Sequence, residues 1–101
     1  MPEIYTRAMF AENLNTRFQI ADNPEAPLEL VLTRVDEGRT TPTQEMFSIL
    51  FHGPAHTFVP QGMRKLKHER LGELDLFLVP VGKDNDGFLY EAVFNRIIRS
   101  S

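Results

Sequence analysis

The chain has 101 residues, 42% of them apolar and 25% charged, with no cysteine, a net charge of −3 and a pI near 5.5. That size and apolar share suit one domain with one modest core and argue against intrinsic disorder. The absence of cysteine excludes disulfides, thiolate catalysis, cysteine zinc sites and iron–sulfur clusters, and the acidic balance argues against a general nucleic-acid binder, which needs a basic excess on at least one face.

The N-terminal residues MPEIYTRAMFAEN include acidic side chains and lack the apolar run of a signal peptide. Nowhere do the roughly 18 consecutive apolar residues of a membrane-spanning helix occur. A cytoplasmic protein with no membrane partner is therefore expected. Within residues 6–14, Phe10 and Leu14 stand at i and i+4, which predicts a short helix with one face on a sheet. Residues 16–21 (TRFQIA) alternate, with Phe18 and Ile20 on one side, and predict a first strand ending at the turn formers Asp22, Asn23 and Pro24.

After Pro27, residues 28–35 (LELVLTRV) place Leu28, Leu30 and Leu32 on one face, predicting a half-buried strand. Residues 36–43 (DEGRTTPT) read as an exposed loop, and residues 45–52 (EMFSILFH) as a strand apolar on both faces that stops at Gly53 and Pro54. Residues 55–62 read as irregular. Residues 63–71 set Met63, Lys65, Lys67 and Glu69 on one face against Arg64, Leu66, His68 and Arg70 on the other, and predict a polar strand at a sheet edge. The next segment, LGELDLFLVPVGKDNDGFLYEAVFN, reads as a hairpin with a five-residue polar turn. In it Leu74, Leu76 and Leu78 point one way and Phe77, Val79 and Val81 the other, so a second layer or another subunit is expected to cover the outer set. Short strands at regular intervals without long helices predict a mainly β fold, an antiparallel sandwich or small barrel of about six strands with a short N-terminal helix, in a single domain spanning residues 1–101.

Candidate chemistry is sparse. His52 and His56 have helical ligand spacing, but Gly53 and Pro54 between them break a helix, so ordinary loop and strand histidines are expected and no metal or cofactor. Asp84, Asp86 and Gly87 resemble a calcium loop only faintly, because Val93 stands where an EF-hand requires glutamate; a hairpin turn explains them. Ser48 has no nucleophile elbow around it. Glu73 and Asp75 share a strand face and, with His68, are the residues a hydrolase-type enzyme would use, although cross-strand pairing with Arg64, Lys65 or Lys67 accounts for both carboxylates. No aromatic residue interleaves the basic cluster Arg64, Lys65, Lys67, His68 and Arg70, so nucleic acid is not an expected partner.

Three strings carry a resemblance: FSILFHGP at residues 47–54, PQGMRKLKHERLGELDLFLVPVG at 60–82 and YEAVFNR at 90–96. In these the chain resembles a family of small, functionally uncharacterised bacterial domains. The resemblance implies no catalytic residue, and because some members lie beside phage-tail-collar-like proteins it implies a structural or assembly role. A noncatalytic interaction or structural subunit is therefore expected, either a homo-oligomer or a small partner of a larger, phage-tail-like protein. A small-ligand-binding β-barrel is the alternative and an enzyme using Glu73, Asp75 and His68 the third reading. Residues 88–98 (FLYEAVFNRII) are apolar on both faces, which points to a subunit contact made by Tyr90, Val93, Phe94, Arg96, Ile97 and Ile98, with Arg96 and Arg99 at its rim. The competing account has the helix bearing Phe10 and Leu14 cover that strand within one subunit.

Overall fold

The computed structural model describes residues 5–21 and 28–97, without the side chains of Arg39, Thr40 and Arg96. The turn expected at Asp22–Pro24, Pro27, and the C-terminal Ile98, Arg99, Ser100 and Ser101 lie outside the described residues. A five-residue helix, α1 (Arg7–Ala11), precedes six strands: β1 (Arg17–Ile20), β2 (Leu28–Thr41), β3 (Gln44–Pro54), β4 (Gly62–His68), β5 (Gly72–Lys83) and β6 (Gly87–Ile97). The strands close an antiparallel barrel in the order β1-β2-β3-β6-β5-β4, the small-barrel form of the expected fold. Two three-stranded meanders, β1–β3 and β4–β6, join through β3 with β6 and β1 with β4. Closure follows from alternation, which sends every second side chain inward. Phe18, Leu30, Phe51, Leu66, Leu76 and Tyr90 meet in the interior with no more than 1% exposure.

Both barrel ends are stoppered. At one, Thr6 caps α1 by accepting the Met9 N–H at 3.2 Å. The helix then lowers Phe10 onto Phe47, Phe94 and Phe18, with ring centroids 6.1, 5.3 and 6.5 Å away. Leu14 does not share that contact as its spacing predicts. The helix stops at Ala11, Asn15 turns the chain with a left-handed φ of 63°, and Leu14 is left exposed while Asn13 is buried. At the other end the irregular segment after β3 buries Val59, whose N–H donates to the Tyr90 hydroxyl at 2.9 Å. Gly53 makes room for that tyrosine, since a Cβ there would stand 3.0 Å from the ring and 2.8 Å from Leu30.

Residues 36–43 are not the loop their composition suggests. β2 runs on to Thr41 and turns through Pro42 and Thr43 into β3, accommodating its charged, glycine-containing sequence with register shifts between Leu32 and Arg34 and between Glu37 and Thr40. β1 leaves β2 after Val31, and β5 leaves β6 beyond Glu91. The ends of β2, β3 and β6 therefore continue as a three-stranded arm, consistent with a molecule 47 Å long and 27 by 23 Å across. In the gap where β5 and β6 part, Tyr5 accepts the Asp75 N–H at 3.3 Å and sets its ring edge-on to Phe94 at 5.8 Å.

Candidate interaction surface

The outer face of the β4–β5 ribbon follows from its register. Lys67 is opposite Glu73, Lys65 opposite Asp75 and Met63 opposite Phe77, so the ribbon passes from paired opposite charges to a directly opposed apolar pair. The polar strand is thus no sheet edge, since β4 lies between β1 and β5. Met63 and Phe77 are 62% and 48% exposed, and Val81, at the register shift between Pro80 and Gly82, is 50% exposed. Of the two covers expected for this face, a second layer of the same chain is absent among the described residues. A barrel of one layer fills its interior with Leu74, Leu76 and Leu78, and none of its own elements covers the far side among the described residues.

On β6 the same alternation separates the expected contact residues. Tyr90 is wholly buried and has no surface to offer a partner, while Phe94 is half-buried and stacks on Phe47 at 4.7 Å beneath α1. The helix thus covers the inner face of this strand, as the competing account expects, through Phe10 without Leu14. Val93 and Ile97 face outward with 63% and 72% exposure. The side chain of Arg96 and all of Ile98 lie outside the described residues.

The remaining candidates do not assemble into a reaction centre. Glu73 and Asp75 project outward, whereas His68 turns into the barrel and packs its ring 4.3 Å from Phe18. There its Nδ1 accepts the N–H groups of Arg70 and Leu71 at 3.0 and 3.2 Å, which puts the proton on Nε2, 2.8 Å from the Thr16 hydroxyl. That hydroxyl in turn donates to the Asn13 carbonyl at 2.6 Å. Burial, and secondarily the Arg70 charge, push the His68 pKa down, so the neutral ring ties the β4–β5 turn to the end of α1. The buried state of His68 is legible in its alternation with Leu66.

His52 donates from Nε2 to Asp84 at 3.2 Å, and the same carboxylate oxygen accepts the N–H groups of Asp86 and Gly87 at 2.9 and 2.8 Å, closing the β5–β6 turn. These bonds, led by that from His52, hold the Asp84 carboxyl below its ordinary range. His56 is exposed, and no group of three potential metal ligands exists among the described residues.

Two hollows mark the barrel's surface. A cleft bounded by Ile20, Leu28, Phe58 and Arg64 measures about 80 Å³, short of the roughly 300–1,000 Å³ typical of small-molecule sites. A depression of about 440 Å³ near Arg17, Glu29, His52 and His56 is wide and open.

No curated protein and no solved structure matches the chain. A family model described as a domain of unknown function, DUF6916, matches residues 5–94, which takes in the barrel from Tyr5 to Phe94, and the chain belongs to that family.

Proposed function

We propose that this barrel is a noncatalytic structural or protein-interaction subunit, working in the cytoplasm as a homo-oligomer or bound to a larger structural protein. The observation that carries this reading is the set of large apolar side chains outside a single-layer barrel: Met63, Phe77, Val81, Val93 and Ile97. Singly exposed apolar residues are ordinary, but an opposed pair such as Met63 and Phe77 on a paired ribbon gains from being covered. The resemblance of residues 47–54, 60–82 and 90–96 suggests a phage-tail-like protein as the class of larger partner. The neighbouring Lys–Asp and Lys–Glu pairs would then form a polar rim.

Replacing Met63, Phe77, Val81, Val93 and Ile97 together by threonine tests the reading, because threonine keeps strand propensity while removing apolar surface. The expected result is a protein that still folds cooperatively and has lost the self-association measured by light scattering. Unchanged association by the five-threonine variant would remove this surface from the function.

A further inference from the structure

The two sides of the arm are built differently. Along β2 its edge is broken by two register shifts and carries Arg34 and Asp36, which bond each other at 2.6 Å, and Glu37. Bulges and charges of this kind keep a sheet edge from accepting another strand. Along β6, pairing with β3 runs without interruption from Gly87 to Ile97, so the strand remains regular. Residues 92–97 have no strand on their other side among the described residues, because pairing with β5 ends at Glu91. The outward side chains there are Val93, Asn95 and Ile97, with no proline, bulge or charge on that face. One edge is guarded, and the other is paired with no strand among the described residues.

We propose that residues 92–97 of β6 pair antiparallel with the same residues of a second copy, about a two-fold axis through Asn95. This deepens, and rests on, the interaction reading above. A two-fold contact requires a surface that matches itself, and this strand supplies one. In the Asn95-centred register Val93 faces the second copy's Ile97, and Ile97 its Val93, so two β-branched pairs flank an amide pair. A shift of the centre by one residue, to Phe94, would set Val93 against asparagine and Ile97 against Glu91. The added strand joins the two arms into one six-stranded sheet and leaves the Met63–Phe77 ribbon of each copy free for the larger partner. A contact of one strand per copy lies at the small end of protein interfaces, so the dimer forms and dissociates with concentration.

The cysteine-free chain allows a direct test, since Asn95→Cys introduces a single thiol. Opposed residues of antiparallel strands have Cα atoms about 4.5 or 5.5 Å apart, within the roughly 4.4–6.8 Å that a disulfide spans. Under mild oxidation the Asn95→Cys protein should form covalent dimer about tenfold or more faster than His56→Cys, an exposed position beyond the opposite end of β3, because the strand contact raises the local thiol concentration. Both substitutions are at exposed positions, and matching thermal melts establish that both proteins fold. Equal rates for the two variants would overturn the strand pairing. Loss of association in the five-threonine variant together with no preferential Asn95→Cys crosslink would leave the interaction reading standing and remove this geometry. Retained association by the five-threonine variant would defeat the interaction reading itself.

Discussion

Phe47 and Phe77 look alike in the sequence, each the central aromatic of a strand apolar on both faces, and the barrel separates them. Phe47 is 1% exposed and stacks on Phe94, with Phe10 beyond it, whereas Phe77 is 48% exposed. Truncating a buried phenylalanine to alanine removes its transfer free energy and leaves a cavity, costing about 3–5 kcal/mol. Phe47→Ala meets both terms in full. Phe77→Ala opens no cavity and gives up only the half of the ring resting on its own ribbon, so about 1 kcal/mol or less is expected. At about 4–8 °C per kcal/mol for a domain of this size, Phe47→Ala should lower the melting temperature by more than about 12 °C, and Phe77→Ala by no more than about 8 °C. Circular dichroism melts in dilute solution measure both. Equal losses for the two variants at every protein concentration would refute the assignment of Phe77 to an uncovered outer face.

Two further perturbations probe the interior. His68 has a folded pKa below its ordinary value of 6.5, so the unfolded chain takes up a proton first as the solution is acidified. The stability that the neutral ring confers is complete above pH 6.5 and declines as pH falls towards the folded pKa. Melting temperatures should therefore fall between about pH 7 and 5, and His68→Gln should flatten that decline; an unchanged pH profile in the variant would assign the effect to other groups. Tyr90→Phe keeps the ring but leaves the Val59 N–H without its acceptor in a buried setting, at a cost of about 1–3 kcal/mol. The urea midpoint should move down with an unaltered m-value, and an unmoved midpoint would mean that water satisfies the Val59 N–H.

Alternation made the strands legible. Phe18 with Ile20, Leu28 with Leu30 and Leu32, and Leu74 with Leu76 and Leu78 all face inward as their spacing predicts. What sequence could not convey is which layer covers a second apolar face. The pattern of Phe77, Val79 and Val81 is the same whether another sheet, another subunit or solvent lies beyond it. The extension of β2 was hidden for a different reason: Asp36 and Gly38 are poor strand formers, and only pairing with β3, with its two register shifts, holds them extended. The Val59 stopper and the Tyr5 anchor were hidden too, because the Tyr90–Val59 bond spans 31 residues and the Tyr5–Asp75 bond 70. For the candidate surface, Val93 and Ile97 could be read from β6, but the contribution of Met63 depends on the β4–β5 register.

The measurement closest to the central claim is sedimentation of the wild-type protein over about a hundredfold range of concentration. Assembly through its outer surface predicts an average mass that rises from the 11.6 kDa of one chain towards 23.2 kDa (2 × 11.6) or a higher multiple as concentration increases. A single 11.6 kDa species throughout the range would contradict self-assembly.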